Sequence, residues 1–138
     1  MVRSAICSTI GVIGSGVAYL LGGFDNAIIT LGIFMLIDYI TGLIVAGVFH
    51  KSTKTESGAL NSKAGWIGLC RKGVTLLIVV IANRLDMQLG CNYIRDAVCI
   101  GFMLNELISI IENAGLMGIK LPVVLTKAIE ILKQKESE

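Results

Sequence analysis

The sequence predicts an all-α integral membrane protein with four transmembrane helices and a short C-terminal amphipathic helix. Of its 138 residues, 54% are hydrophobic and only 16% are charged, whereas soluble domains carry about 25% charged residues. The mean hydropathy is +0.80. The apolar residues form several long runs, and about 20 apolar residues suffice for a helix to cross the ~30 Å of bilayer hydrocarbon. A polar loop and short turns separate these runs.

We expect one domain over residues 1–138, with membrane-crossing helices at about 5–23, 27–49, 66–85 and 97–113. A final helix is predicted at about 122–134, because Pro122 suits a first helical turn. Its apolar side is formed by Leu125, Ala128, Ile129 and Leu132, and its polar side by Lys127, Glu130, Lys133 and Gln134. This helix is too short and too charged to span. We therefore expect it to lie on the membrane surface or to bind a partner.

The placement of basic residues predicts the topology. The segment from His50 to Lys63 carries three lysines and one acid, and Arg71 and Lys72 follow it. Basic loops stay in the cytoplasm, so four spans place both termini there. The same loop could also bind anionic lipid head groups. The first apolar run is long for a signal peptide and lacks an Ala-x-Ala site, so we expect a retained anchor.

Small residues recur at every fourth position in the first two helices. Gly14, Ala18 and Gly22 line one face of the first helix, and Gly42 and Ala46 repeat the spacing in the second. Such faces allow close helix approach in membranes, where the hydrophobic effect does not drive helices together. We expect packing within or between protomers here, although glycine is also simply tolerated in membrane helices.

Asp38 lies in the middle of the second apolar run and needs a partner. A lone aspartate at that depth costs ~2.5–3.5 kcal/mol on insertion scales. Helix rise places Glu106 at a similar level, and Arg71 or Lys72 enters from the cytoplasmic side. We therefore expect Asp38 and Glu106 to share Arg71 or Lys72, with Asn105 adding hydrogen bonds. The cluster is either an ion pair that fixes helix register or a lining that senses water, protonation or potential.

The residue inventory argues against several kinds of site. The four cysteines form no CxxC pair and the single histidine lies in the polar loop, so no metal centre or other cofactor site is expected. No nucleophile–histidine–acid set and no phosphate-binding glycine loop are present. The basic loop lacks interleaved aromatic residues, which argues against nucleic-acid binding. Cys91, in a predicted connecting loop, could cross-link neighbouring copies.

An ordered set of short motifs extends from Ile33 to Leu132. It begins with Asp38-Tyr39-Ile40-Thr41-Gly42, continues through Ser62-Lys63-Ala64-Gly65 and Gly68-Leu69-Cys70-Arg71-Lys72, and ends with Asn105-Glu106-Leu107-Ile108-Ser109-Ile110-Ile111-Glu112-Asn113 and Gly118-Ile119-Lys120-Leu121-Pro122. This order resembles the phage-lysis and toxin-secretion holins of Gram-positive bacteria and their phages. Lys120 and Leu121 replace the usual small residue and proline, and the glycine-rich first helix has no counterpart in the resemblance.

The resemblance implies a non-enzymatic protein of the bacterial cytoplasmic membrane. Such proteins form homo-oligomers in the lipid bilayer and open lesions, through which an endolysin or a toxin crosses. It also implies that Asp38, Gly42, Arg71, Lys72, Glu106 and Asn113 matter, without assigning their roles.

Two other classes remain open. One is a small ion channel or transporter that uses the Asp38, Arg71 and Glu106 cluster. The other is a membrane enzyme acting on lipid, which would need a denser set of acids and metal ligands.

Overall fold

The computed structural model of the chain describes residues 1–137, and its regular structure is helical. Within those residues there are five helices: α1 (Val2–Leu21), α2 (Asn26–Gly47), α3 (Ser62–Leu89), α4 (Ile94–Leu116) and α5 (Val123–Ser137). The all-helical prediction is therefore confirmed. The predicted domain ends at residue 138, which lies outside the described residues.

Local capping chemistry sets several helix ends. The Asp25 side chain accepts a hydrogen bond from the Ile28 N–H, and Asn61 accepts from the Lys63 and Ala64 N–H groups. These bonds satisfy donors that helix geometry leaves free. Gly22 and Gly90 end α1 and α3 in the left-handed conformation, with φ of 85° and 66°, where glycine avoids a steric penalty.

Two predicted helices are longer in the structure. We expected α3 to end at Arg84-Leu85-Asp86, but it continues to Leu89, because the capping residue is Gly90. We expected α4 to begin near residue 97, but it begins at Ile94. The charged residues near this boundary, Arg84, Asp86, Arg95 and Asp96, therefore all lie within the two helices.

Helix α4 is central: it packs most extensively on α2 and also contacts α3 and α5. Helices α2 and α4 both start at the end of the molecule that holds residues 22–25 and 90–93, which we call the turn end. The opposite end holds residues 48–61 and 117–122 and is called the loop end. An apolar core near the turn end combines α1, α2, α3 and α4, with Leu31, Val79 and Cys99 fully buried.

Helix α1 is the least embedded element. Among its own residues only Leu21 is buried, and its helix–helix packing is on α3. No atom of another element lies within 4 Å of where a Cβ would stand on Gly11, Gly14 or Gly16. Most of α1 is therefore available to lipid or to another chain.

Three of the described helices, α1, α2 and α3, are long and apolar enough to cross a membrane. The fourth predicted crossing, α4, has 23 residues but carries several charges and is not among them. The structure thus supports a membrane protein with three candidate spans.

Candidate functional site: two charge clusters between the helices

Lys72 joins three helices at mid-length. Its Nζ donates to Asp38 Oδ2 on α2 and to Glu106 Oε2 on α4, both at 2.7 Å. The two acid side chains are only 7% and 8% exposed, and the lysine side chain is 15% exposed. We call these three residues the lysine cluster. With both acids ionised it carries one more negative than positive charge.

Asn113 completes the α2 side of the lysine cluster. Its Nδ2 lies 3.3 Å from Asp38 Oδ1 and 2.9 Å from Thr41 Oγ1, and it also reaches the Asp38 carbonyl oxygen. Asn113 is 6% exposed. Because a buried carboxylate needs donors as well as a counter-charge, this amide keeps Asp38 fully hydrogen-bonded.

A cavity of about 870 Å³ connects the lysine cluster with the loop end. Its walls come from α2, α3, α4 and the polar loop, and they include Asp38, Lys54, Lys72, Glu106 and Ser109. A cavity of this size with charged side chains in its walls can hold water. The lysine cluster therefore lies at the inner end of a space that water can fill from one side of the molecule.

Two expected members lie outside the lysine cluster. Arg71 is exposed and has no ion pair within residues 1–137, because neighbouring positions on a helix point about 100° apart and Lys72 occupies the inward direction. Asn105 is also exposed and makes no side-chain hydrogen bond in the described part of the chain. The expected hydrogen bonds come from Asn113, seven residues beyond Glu106 on α4, where two helical turns restore the face that Glu106 occupies.

The small residues have different surroundings. Gly42 faces α4, since a Cβ there would stand 3.9 Å from Asn113 Nδ2, and Ala46 is buried. Gly14 and Ala18 are partly exposed on α1. Gly22 is not part of the helical stripe: it is the C-cap of α1, and a Cβ there would lie 2.5 Å from Asn83 Oδ1.

A second cluster at the turn end was not predicted. Arg95, 6% exposed, makes a bidentate ion pair with Asp25, with contacts of 2.8 and 3.0 Å. Its guanidinium also donates to the carbonyl oxygens of Leu21 and Gly23. We call Arg95, Asp25, Asp86 and Asn83 the turn-end cluster.

Asp86 and Asn83 fasten the remaining chain segments to this cluster. Asp86 accepts from the backbone N–H groups of Ile94 and Arg95 at 3.0 and 2.9 Å, so α3 caps the start of α4. Asn83 donates to the Leu20 carbonyl oxygen at 3.1 Å. Four helix ends therefore meet at one hydrogen-bonded point.

Two groups in the connecting turns have shifted pKa values. The guanidinium of Arg95 donates to the Asp25 carboxylate and holds the pKa of Asp25 below its ordinary value. The Cys91 thiol donates to the Asp86 carboxylate at 3.2 Å, and this contact raises the pKa of Cys91. A raised pKa makes the thiol less reactive.

Part of the turn-end cluster had a sequence signal. Asp25 directly precedes an apolar run, which is typical of an N-cap. An arginine in the first turn of an apolar helix is unusual and indicates a local acceptor. Its partner could not be chosen, because several acids lie near the two turns and only the folded chain brings Asp25 to Arg95, 70 residues away.

The fold combines three helices that could span a membrane with two charge clusters in which the buried polar groups bond to one another. Within residues 1–137 no buried side-chain nitrogen or oxygen lacks a hydrogen-bond partner. Residues 15–134 match the profile of the bacteriophage holin family. The chain therefore belongs to that family, which implies a non-enzymatic membrane protein and confirms the resemblance seen in the sequence.

Related proteins match over most of their length. The chain is 40% identical over 131 residues to an uncharacterized protein of Listeria monocytogenes, covering 93% of this chain and 88% of the relative. It is 32% identical over 126 residues to an uncharacterized 14.9 kDa protein in the nagH 3′ region of Clostridium perfringens, with 90% and 89% covered. A probable holin of Bacillus phage phi105 is 30% identical over 122 residues, with 88% and 84% covered. No solved structure matches the chain.

Proposed function

We propose that this protein is a holin that oligomerises in the bacterial cytoplasmic membrane and opens lesions for a cell-wall hydrolase or a toxin. Family membership and the relative named as a probable holin support this role. The observation that carries the mechanism is the lysine cluster, in which three charged groups meet at mid-helix beside a cavity open toward the loop end.

In this proposal the lysine cluster holds the closed state. Lys72 keeps Asp38 and Glu106 paired between α2, α3 and α4, so the three helices share one polar contact. Separation of the helices exposes two carboxylates and an ammonium, and these groups are stable only in water. The same residues would then border a hydrated lesion.

We propose that α4 is the fourth crossing and that the N-terminus and the loop end are cytoplasmic, whereas α5, which begins at the loop end, carries the C-terminus back along α4. A 23-residue helix extends about 34 Å, enough to cross the hydrocarbon. The buried charges of α4 face Lys72 and Asp25 rather than the outside of the bundle. The basic loop at the loop end supports a cytoplasmic position for that end.

The open side of α1 is the surface we propose for contact between copies. Gly14 and Ala18 lie four residues apart, and Gly14 has no neighbour from another element. Small residues at this spacing let a second helix approach closely in a membrane.

The test is inducible expression in a bacterium, with and without a co-expressed cytoplasmic muralytic enzyme. We expect an abrupt loss of viability in both cases and lysis only when the enzyme is present. Asp38→Asn and Glu106→Gln should change the time of lysis and the size of the cross-linked oligomer, because each removes one carboxylate from Lys72.

Glu112→Gln is the matched control, since Glu112 is an exposed acid on the same helix and has no ion pair within residues 1–137. If both Asp38→Asn and Glu106→Gln leave the time of lysis and the oligomer size unchanged, the lysine cluster takes no part in lesion opening. Ion leak without passage of the enzyme would instead favour a small channel or transporter, a role that the water-accessible charge cluster also suits.

A further inference from the structure

Helix α5 folds back along α4 instead of extending away from it. Leu132 packs against the apolar core that contains Cys99 and Met103, and Ile129 is 6% exposed. A Cβ on Gly101 would lie 3.1 Å from Glu136 Oε1. Residues 101–116 of α4 and the 15 residues of α5 each extend about 22 Å, so the two helices run side by side over that length.

This position places α5 at the depth of the apolar helices. The core that Leu132 contacts also contains Leu31 and Met35 of α2, and both residues lie inside a candidate membrane span. We expected this helix to lie on the membrane surface or to bind a partner. In the structure, Ile129 is buried and Leu132 packs on the core, so these two residues are not free to enter a lipid surface, whereas Leu125 on the same side is 42% exposed.

The exposed side of α5 carries polar residues without a protein partner, beside the exposed apolar residues Val124 and Ile131. Lys127, Glu130, Lys133 and Gln134 are exposed, and none of the three charged members forms an ion pair within residues 1–137. Charged side chains that face hydrocarbon are strongly disfavoured. A docked α5 at this depth therefore requires water on its outer side.

We propose that α5 stays docked on α4 in the assembled protein and that Lys127, Glu130, Lys133 and Gln134 border its water-filled interior. This inference rests on the proposed function, because an assembly of copies supplies the aqueous space. Lys127 and Lys133 against Glu130 leave this set of residues with one net positive charge.

Reactivity of single cysteines tests the exposure of this side. In a background with Cys7, Cys70 and Cys91 changed to Ser and Cys99 to Ala, Glu130→Cys and Gln134→Cys are compared with Leu77→Cys, an exposed apolar position of α3. After lesion opening, a charged, membrane-impermeant thiol reagent should modify the α5 positions at least about ten-fold faster than the α3 position. Equal rates would overturn the proposal.

A cross-link between α4 and α5 distinguishes an α5 that stays docked on α4 from an α5 that moves to the membrane surface. Gly101→Cys with Glu136→Cys, joined by a short permeant bismaleimide, should still release the muralytic enzyme. Loss of release on cross-linking, with normal release by each single variant, would show that α5 must leave α4 and would overturn the proposal.

The function and the inference can fail separately. Enzyme release with a slow reaction at positions 130 and 134 contradicts only the inference, and a fast reaction without enzyme release contradicts only the holin role. The cysteine-free protein could fail to accumulate in the membrane. In that case the double variant Glu130→Leu with Gln134→Leu in the native chain tests the same inference, with Ile131→Leu as control. Delayed release at equal membrane amount is expected for the double variant, and unchanged release would overturn the proposal.

Discussion

The lysine cluster and the turn-end cluster solve the same electrostatic problem in different ways. At the turn end, the cation of Arg95 is surrounded by backbone carbonyl oxygens and a bidentate carboxylate, and these partners belong to loops and helix ends. At mid-helix, Lys72 has only two carboxylates, each on a different helix and beside a cavity. One cluster fastens chain ends, and the other joins helix centres.

This difference explains why the two basic residues are not interchangeable. A guanidinium has a planar fork of donors that suits several fixed acceptors, whereas an ammonium is a compact charge on a flexible stem. The turn-end cluster is therefore suited to hold one geometry. The lysine cluster depends on few contacts, so it can separate when water enters. The comparison suggests that the turn end of the helix bundle is fixed, whereas the helices can separate at the lysine cluster in its centre.

The largest effect is expected from Lys72→Met. It leaves Asp38 and Glu106 close together without a cation, and losing one partner of a buried ion pair costs about 3–5 kcal/mol. We expect a fall of that order in the free energy of unfolding, measured by denaturant titration in detergent micelles.

Arg71→Met is the control for this measurement, because the exposed Arg71 side chain has no ion pair in residues 1–137. Its free energy of unfolding should change by less than about 0.5 kcal/mol. Similar losses in both variants would mean that Lys72 does not stabilise the three helices.

A smaller loss is expected from Arg95→Met. The substitution removes the bidentate pair and two carbonyl contacts, but Asp25 keeps access to water since its side chain is 52% exposed. We expect a loss of about 2–3 kcal/mol in the free energy of unfolding and faster hydrogen exchange at the turn end. Arg84→Met, which changes an exposed arginine on α3, should show neither effect; if the two variants match, the turn end is not fastened by Arg95.

The smallest expected effect is the acid dependence of the turn end. Because Arg95 lowers the pKa of Asp25 in the folded state, the unfolded state binds the proton more readily. The stabilisation is present above the unfolded pKa of about 3.9 and is lost as pH falls through the lower folded value. Asp25→Asn should remove this part of the acid dependence and leave the stability change from pH 7 to pH 5 unaltered. An Asp25→Asn protein with the full acid dependence would contradict the assignment.

Individual residues show what could be predicted within the site. Asp38 and Glu106 could be placed at one depth because helix rise is constant, and Lys72 was one of two expected partners. The choice between Arg71 and Lys72 depended on the rotation of α3, which only packing against α2 and α4 sets. Asn105 points about 100° away from Glu106 around α4, whereas Asn113 shares the face of Glu106, and it is Asn113 that reaches Asp38.

The sequence by itself determined the helical class, the apolar spans, the polar loop and the buried carboxylates. These features follow from composition and from the fixed periodicity of a helix, which are local properties. The tertiary structure decided which cation is shared, that Arg95 joins Asp25 across 70 residues, and that α5 lies against α4. Each of these depends on rotations and tilts between helices. They are set by the packing of many side chains at once, and no single segment encodes them.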